Sequence, residues 1–370
     1  MADAADLVEA VSFEVRRDDL RATRFVREAI DPQAVAAAGK ALLAIDHFAL
    51  TANNITYAAF GEQMAYWNFF PAGEGHGRIP VWGFADVVAS GVEDLPVGER
   101  IYGYFPMASH VLVEPVRVSA RRFVDGAEYR KGLPAVYNSY ERVATDPGYR
   151  SEREADQMIL KPLVLTSFLI ADFLDDNAFF GARQVLVVSA SSKTSLGLAL
   201  CLRRLAKPGL SVIGLTSKGN RAFVEATGLY DRVVTYDAIA SLDAEVPTAY
   251  VDMAGSAELI TAMHGHFGDR IVHACRVGGT HWQDLAGRLD LPGARPKFFF
   301  APDQIAKRHG DWGPGGLEER FAGAWEDILA SARCWMTVRR AKGEAAVADA
   351  YRQTLEGLVA PDTGLVLSLR

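Results

Sequence analysis

Short runs of apolar residues recur through the second half of the chain, and each is followed by a segment with helical spacing of its apolar positions. These runs show no polar alternation, which predicts strands buried on both faces. Strands of that kind separated by helices form a doubly wound parallel sheet, whose ligands bind beyond the carboxyl ends of the strands. The predicted strands cover residues 184–190, 211–216, 232–236, 249–254, 270–275 and 297–301.

The first 125 residues have a different pattern, in which short strand-like stretches are cut by glycine and proline. This pattern predicts a small, partly closed antiparallel β-barrel. The last apolar run, residues 364–369, has no partner in the second half, and we expect it to pair with the N-terminal strands. The predicted fold class is α/β, with a β-barrel domain over residues 1–150 and 333–370 and a doubly wound domain over residues 151–332.

Charge and composition narrow the functional classes. The chain of 370 residues has 39 Lys and Arg against 46 Asp and Glu, a net charge of −7, whereas nucleic-acid binding needs a basic surface. The first ten residues do not form a signal peptide, and the longest apolar stretch, residues 163–171, is too short to span a bilayer. The three cysteines form no CxxC pair. We therefore expect a cytoplasmic protein with a small-molecule partner and neither a nucleic-acid nor a membrane partner.

The turn after the first strand of the predicted sheet is the most informative segment. It reads Ser189-Ala190-Ser191-Ser192-Lys193-Thr194-Ser195-Leu196-Gly197. Small residues let the backbone approach a phosphate, the following helix offers free N–H groups, and the hydroxyls and Lys193 add donors and a cation. The glycines of the GxGxxG motif are absent from the turn, so a simple N-capping turn is the alternative interpretation.

The second strand ends in Thr216 and Ser217, and the cations Lys218 and Arg221 follow. An NAD-binding protein usually has an acidic residue here, whereas a basic pair suits the 2′-phosphate of NADP. The alternative is a solvated loop, because exposed Lys and Arg are common. Together with the preceding turn, this pattern favours NADP(H).

Other candidate chemistry has less support in the sequence. Lys193-Thr194 lacks the glycines of a nucleoside-triphosphate loop, and no GxSxG elbow is present. The histidines His264, His266, His273 and His281 fall in separate predicted elements, so we expect structural histidines and no metal site. The aromatic segment from Tyr57 to Phe70, with Asn53 and Asn54 beside it, predicts a pocket wall.

The order of the predicted domains and several segments resemble the medium-chain dehydrogenase/reductase superfamily. Residues 81–118 resemble its glycine-rich strand block, and Thr166 falls where that superfamily often has a cofactor-contacting threonine. Val251-Asp252-Met253-Ala254-Gly255 resembles its DxxG segment, and Val277-Gly278-Gly279 its turn after the fifth strand. More narrowly, PAVYNSY, MILKPLVLTSFLIADFL and SASSKTS look like the functionally unassigned DUF2855-type branch.

The resemblance implies a GroES-like β domain, a Rossmann-type domain and a possible homodimer. The glutamate of the zinc-type GHE block is replaced within Trp82-Gly83-Phe84-Ala85 and the four-cysteine lobe is absent, so the similar branches are the zinc-free quinone and enoyl reductases. Those enzymes transfer hydride from NADPH to an activated C=C in the cleft between their domains. The alternative is an NADP(H)-binding protein without turnover.

In the same mapping, Tyr57 is the proton donor or carbonyl partner, and Asn54 or Asn53 orients the substrate; Tyr137 and Tyr140 compete for the role of Tyr57. Tyr236 matches a position beside the 2′-phosphate. The predicted cofactor-binding residues are Thr166, Ser189, Ser191, Ser192, Lys193, Thr194, Ser195, Thr216, Ser217, Lys218, Arg221, Tyr236, Ala254, Gly255, Val277 and Gly278.

Overall fold

The computed structural model describes residues 7–146, 148–278 and 291–370. The chain divides into two compact units. The first unit comprises Met1–Ile159, Val338–Val359 and Thr363–Arg370, and the second comprises Leu160–Thr337 and Ala360–Asp362.

The strands and helices of the described residues have the following bounds. The strands are β1 (Val8–Arg16), β2 (Thr23–Ile30), β3 (Ala41–Leu50), β4 (His76–Gly77), β5 (Pro80–Ser90), β6 (Arg100–Pro106), β7 (His110–Val113), β8 (Pro115–Val116), β9 (Arg122–Asp125), β10 (Ser139–Arg142), β11 (Gln184–Val188), β12 (Ser211–Thr216), β13 (Arg232–Thr235), β14 (Thr248–Asp252), β15 (Ile271–Arg276), β16 (Lys297–Phe298), β17 (Thr337–Lys342) and β18 (Thr363–Ser368). The α-helices are α1 (Pro32–Ala37), α2 (Ala52–Ala59), α3 (Glu154–Asp176), α4 (Lys193–Arg204), α5 (Arg221–Thr227), α6 (Ala257–Phe267), α7 (Ala301–Trp312), α8 (Gly316–Ala332) and α9 (Glu344–Leu355).

The first unit is built on antiparallel strands. A three-stranded sheet has the order β2-β1-β4, and a nine-stranded sheet has the order β17-β18-β3-β5-β6-β10-β9-β8, with β7 also paired to β3. Strand β3 pairs with β18, β5 and β7, and eight of its ten residues are buried. The C-terminal strand β18 pairs with β3 through Leu365 opposite Leu50, which confirms the predicted return of the chain end to the N-terminal strands.

The second unit contains a six-stranded parallel sheet with the order β13-β12-β11-β14-β15-β16. Gln184 of β11 pairs with Ser211 on one side and with Thr248 on the other, so the strand order reverses at β11. This is the order of a dinucleotide-binding Rossmann sheet, and its switch point lies beyond the carboxyl ends of β11 and β14. The predicted α/β fold class is confirmed, and the six predicted strands are present with ends that differ by a few residues.

An ionic cluster in the first unit joins β3, β5, β6 and the start of α3. The Arg100 guanidinium lies 2.5 Å from Glu154, 2.9 Å from Asp46 and 3.0 Å from Asp86. His47 lies between two of these carboxylates, with Nδ1 2.8 Å from Asp46 and Nε2 2.9 Å from Glu154. Burial opposes protonation of His47, but the hydrogen bonds to both carboxylates outweigh it and raise its pKa.

Helix α3 is long and apolar enough to cross a membrane by length and composition alone. In the protein, however, 61% of its most apolar window is buried, as expected for a core helix of a soluble fold. Pro162 lies inside this helix and lacks the N–H that would extend the backbone ladder. The Thr166 hydroxyl donates to the Pro162 carbonyl at 3.1 Å, so the structure gives this predicted cofactor contact an intrahelical partner.

Candidate active site

The turn between β11 and α4 lies at the switch point of the sheet. Ser192 is the N-cap of α4, and its Oγ accepts a hydrogen bond from the Ser195 N–H at 3.2 Å and donates to Ser195 Oγ at 2.9 Å. Ser195 is fully buried and donates its hydroxyl to the Val188 carbonyl at 3.0 Å. The capping alternative is therefore correct for Ser192, and the Ser195 side chain holds the turn together from inside.

The same turn also keeps polar groups that the protein does not use. Neither the Ser191 N–H nor the Thr194 N–H has an acceptor among the described residues. Thr194 lies in the first turn of the twelve-residue helix α4, and Ser191 immediately precedes the N-cap of that helix. The Ser191 hydroxyl accepts from Asn220 Nδ2 at 3.0 Å. Free N–H groups at a helix N-terminus attract an anion, so the turn can still hold a phosphate without glycine.

Two glycines near this edge of the sheet are required by close packing. A Cβ at Gly197 would lie 2.9 Å from the Ser167 hydroxyl, so Gly197 allows α4 to approach α3. A Cβ at Gly278 would lie 2.1 Å from the Met253 carbonyl oxygen. The turn after β11 therefore lacks the glycines that usually let the backbone approach a phosphate. Glycine is present at the positions where two segments pack too closely for a side chain.

Lys193 has a partner away from the turn. Its Nζ donates to the Pro361 carbonyl at 3.2 Å, and burial lowers the pKa of this ammonium group to about 8. The structure therefore places the cation against the 360–362 segment, in an environment that weakens its charge. The Lys193 side chain is not directed at the N–H groups of Ser191 and Thr194 in this arrangement.

The end of β12 combines a buried hydroxyl with two exposed cations. Thr216 is fully buried, and its Oγ1 has no hydrogen-bond partner among the described residues. Lys218 Nζ lies 2.8 Å from Asp237, and Arg221 Nε lies 2.8 Å from Glu225 one helical turn later. Both pairs are exposed to solvent, so an incoming anion can compete with these carboxylates.

In two further loops at the same edge of the sheet, backbone N–H groups donate hydrogen bonds to Asp252. The backbone N–H groups of Ala254 and Gly255 donate to the buried Asp252 carboxylate at 2.9 and 3.1 Å, and the Val277 N–H donates to the Asp252 carbonyl at 2.8 Å. These predicted cofactor contacts therefore have internal acceptors. Tyr236 contacts the first turn, because its hydroxyl is a hydrogen-bond partner of Ser189.

The three described histidines of this set, His264, His266 and His273, have separate partners. His264 bonds to the Tyr250 hydroxyl at 3.0 Å and to the Pro292 carbonyl at 2.7 Å, and His266 bonds to the Leu242 carbonyl at 2.9 Å. His273 stacks on Phe180 with ring centroids 3.9 Å apart. His281 lies outside the described residues, and the part of the chain that is described contains no group of three or more His, Cys, Asp or Glu side chains placed to hold a metal.

In the first unit, four tyrosines form what we call the tyrosine cluster: Tyr57, Tyr66, Tyr104 and Tyr137. The Tyr57 ring centroid lies 4.6 Å from that of Tyr66 and 5.7 Å from that of Tyr104, and Tyr104 stacks on Tyr137 at 4.6 Å. Burial raises the pKa of Tyr57 well above its ordinary value and Tyr137 adds to the rise, whereas the neighbouring Asn53 and Trp82 side chains act in the opposite direction. Tyr57 is therefore a neutral phenol and a hydrogen-bond donor.

The two asparagines beside Tyr57 have different surroundings. The Asn54 amide oxygen accepts from the Thr51 N–H at 2.7 Å and from its hydroxyl at 3.1 Å, and Asn54 Nδ2 donates to the Pro80 carbonyl at 2.8 Å. Asn54 thus caps α2 and ties it to β5, which fixes where Tyr57 lies. Asn53 is half-buried, and its side chain acts directly on the Tyr57 hydroxyl.

The structure separates the two tyrosines that compete with Tyr57 in the sequence. The Tyr140 hydroxyl donates to the Tyr104 carbonyl at 2.9 Å and accepts from Arg130 at 3.2 Å, so it is occupied by the fold. Tyr137 instead lies in the tyrosine cluster, next to Tyr57 and Tyr66. Trp82 also borders the cluster, at 5.3 Å from Tyr104, and no sequence pattern assigned it a role.

Three solved structures share the fold over nearly the whole chain. CurA from Vibrio vulnificus, crystallised in complex with NADPH, is 13% identical, with 97% of this chain and 99% of CurA covered and a TM-score of 0.65. A putative NADPH:quinone reductase from Mesorhizobium loti is 11% identical, with coverages of 97% and 98% and a TM-score of 0.60. The quinone oxidoreductase from Coxiella burnetii is 16% identical, with coverages of 98% and 100% and a TM-score of 0.53. At these identities the likeness establishes the fold and leaves the function open.

No curated protein matches the chain. The family described as "Protein of unknown function (DUF2855)" matches residues 48–360, which is most of the sequence. The chain therefore belongs to the DUF2855 family, and its fold is that of the medium-chain reductases.

Proposed function

We propose that this protein is a zinc-independent, NADPH-dependent oxidoreductase that transfers a hydride to the activated C=C of an enone, quinone or enoyl-type substrate. The observation that carries the proposal is the turn after β11, at the switch point of the sheet, which keeps the Ser191 and Thr194 N–H groups without an acceptor in the described part of the chain. A dinucleotide diphosphate is the ligand that this position of a Rossmann sheet commonly binds. The NADPH carried by the similar CurA structure supports this choice of ligand.

The residues at the carboxyl ends of β11 and β12 fit such a cofactor. The Ser191 and Thr194 N–H groups would hold the diphosphate, and the buried Thr216 hydroxyl, which lacks a partner among the described residues, has capacity for one more hydrogen bond. Lys218 and Arg221 would exchange their exposed carboxylate partners for the 2′-phosphate. When bound, NADPH supplies the hydride for the reaction.

The tyrosine cluster would supply the proton. Tyr57 stays protonated because burial raises its pKa, and the Asn53 amide orients its hydroxyl. A neutral, buried phenol can donate a hydrogen bond to a carbonyl oxygen and then a proton as charge develops on that oxygen. The proposal needs no zinc ion, because Trp82 stands in the block where the zinc-dependent members have a glutamate ligand.

The cofactor assignment can be tested by replacing both cations of the β12 end together. Lys218→Ala with Arg221→Ala should raise the Kd for NADPH by about tenfold or more, since charge-assisted hydrogen bonds to the 2′-phosphate are lost. The Kd for NADH, which has no 2′-phosphate, should change little. Fluorescence titration of both nucleotides measures the two constants. Equal weakening of NADPH and NADH would show that these residues do not recognise the 2′-phosphate.

A second candidate function is NADP(H) binding without turnover. It is favoured by one observation: Lys193 and Asn54, which were expected to face ligands, have partners within the protein. Oxidation of NADPH across a panel of enones, quinones and enoyl thioesters separates the two candidates. Tight NADPH binding with no oxidation on any member of the panel would establish the second, and absence of binding to both NADPH and NADH would remove both.

A further inference from the structure

The tyrosine cluster contains two buried hydrogen-bond donors that the protein leaves without an acceptor. The Tyr104 side chain is fully buried, and neither its hydroxyl nor the buried Trp82 Nε1 has a hydrogen bond of good geometry to any described residue. Leaving buried donors unpaired costs stability, so such groups in a native fold usually serve a ligand or water. Here two of them lie beside the proposed proton donor.

A hydrogen bond between α2 and β5 fixes the position of Trp82 relative to Tyr57. It follows Pro80 by two residues on β5, and the Pro80 carbonyl accepts the hydrogen bond that ties down the start of α2 through Asn54. The Trp82 indole lies near enough to the Tyr57 hydroxyl to lower the pKa of Tyr57, which is the effect of a donor that favours the phenolate. Part of the Trp82 side chain remains accessible to solvent.

Tyr137 connects Tyr57 to Tyr66. The three ring centroids form a triangle, with 4.6 Å between Tyr57 and Tyr66, 6.3 Å between Tyr57 and Tyr137, and 6.0 Å between Tyr66 and Tyr137. The Tyr137 side chain acts on the pKa of both neighbours, as expected for hydroxyl groups that lie close to one another. A proton removed from Tyr57 can therefore be replaced through Tyr137.

The side chains that act most strongly on these hydroxyls are uncharged. Among the described residues, no charged side chain contributes to the pKa shifts of Tyr57, Tyr66 or Tyr137. Arg130, the cation nearest to Tyr104, is buried and lies 3.0 Å from Asp125, which balances its charge. A carbonyl oxygen that gains negative charge would therefore be stabilised here by uncharged hydrogen-bond donors and not by a counter-ion.

We propose that Trp82 and Tyr137 are substrate-contacting residues that complete an uncharged donor set with Tyr57, and that this set binds the oxygen of an uncharged carbonyl-type substrate as that oxygen gains negative charge. The proposal rests on the reductase function above. Bound NADPH would supply the hydride and would leave as NADP⁺. When a hydride adds to the β-carbon of the substrate, the C=C pair becomes the new double bond to the carbonyl carbon and the C=O pair moves onto oxygen, so the Tyr57 O–H bond would break as the new O–H bond forms. The Trp82 N–H would stabilise the Tyr57 phenolate, which would recover a proton from solvent water through Tyr137.

The test uses para-nitrophenolate, an oxygen anion whose visible absorption changes when it leaves water, and needs neither cofactor nor turnover. The full-length wild type should bind it, and Trp82→Phe and Tyr137→Phe should each raise its Kd by about tenfold or more, because each loses one hydrogen bond to a charged oxygen. Tyr102→Phe is the matched control, since the Tyr102 ring stacks on Trp82 at 5.5 Å but its hydroxyl donates to the Gln157 carbonyl. Its Kd should equal that of the wild type.

Two results would overturn the proposal: no binding of para-nitrophenolate to the wild type, or wild-type affinity in both Trp82→Phe and Tyr137→Phe. Circular dichroism of each variant shows whether it folds, and either variant alone suffices if the other does not. NADPH titration of the same proteins reports on the second unit independently. If the wild type does not bind NADPH, but para-nitrophenolate binds it and binds Trp82→Phe and Tyr137→Phe more weakly, the result counts against the reductase function and not against the donor set.

Discussion

At the level of single residues, the turn after β11 shows how hydroxyl groups replace glycine. Ser189 has a φ of +55°, a left-handed conformation that costs a non-glycine residue about 1 kcal/mol. Two hydrogen bonds offset this cost, one from the Ser192 N–H to the Ser189 carbonyl at 2.8 Å and one with the Tyr236 hydroxyl. The sequence predicted the location of the turn. It could not predict that Ser192 caps the helix and that Ser195 bonds back to Val188, while Ser191 and Thr194 keep free N–H groups.

Tyr57→Phe tests the proton donor at this scale. The substitution keeps the ring that packs against Tyr66 and removes only the hydroxyl. We expect kcat for NADPH oxidation to fall by about 10²-fold, as for loss of a general acid, with an unchanged Kd for NADPH. Steady-state kinetics and cofactor titration measure the two quantities. An unchanged kcat would move proton delivery to another group.

At the level of elements, contacts between residues distant in sequence were the hardest to predict. The alternation of strands and helices indicated a parallel sheet, and the aromatic segment after β3 indicated a pocket wall. The ionic cluster was not foreseen, because Arg100 meets both Asp46 and Glu154 across 54 residues of sequence. No local spacing encodes such pairs, since only the folded sheet brings β3, β6 and the start of α3 together.

Glu154→Gln tests that cluster. Burial alone would raise the pKa of Glu154, but hydrogen bonds to Arg100 and His47 outweigh it and lower the pKa from 4.5 to about 2. The ionised Glu154 carboxylate therefore contributes stability that is fully present above pH 4.5 and is lost as the pH falls towards 2. The variant should lose about 1–3 kcal/mol at neutral pH, after allowance for solvent screening.

Thermal melts between pH 7 and 3 measure this effect. In the wild type, the Tm should fall with decreasing pH, and in Glu154→Gln the Tm should start lower and fall less steeply. Glu152→Gln is the control, because Glu152 is an exposed neighbour two residues earlier in the chain. If the Tm falls equally steeply with decreasing pH in the wild type and in Glu154→Gln, the Glu154 carboxylate is not stabilised by its partners.

At the level of the whole molecule, the order of domains and strands was accessible from the sequence because it depends on hydrophobic pattern and chain connectivity. The return of β18 to β3 followed from a lone apolar run at the C-terminus. The roles of individual polar groups were not accessible in the same way. Whether a loop N–H faces a ligand or an internal carboxylate, as at Ala254 and Gly255, is decided by side-chain placement that the pattern does not specify.

Hydrogen–deuterium exchange with NADPH tests the proposed cofactor assignment over the whole chain. NADPH should slow exchange at the turn after β11, including the Ser191 and Thr194 amides, and at the segment from Thr216 to Arg221, because these groups are unclaimed or exposed in the described structure. The Ala254 and Gly255 amides, which already donate to Asp252, should change less. At a concentration of 100 times Kd, the cofactor should add about 2.7 kcal/mol of stability to the unit that binds it.

The Lys218→Ala, Arg221→Ala double variant at the same NADPH concentration is the control for this exchange experiment, and it should show weaker protection at every one of these sites. Protection confined to β1 and β2, or equal in the double variant, would place the nucleotide elsewhere and remove the structural basis of the reductase proposal.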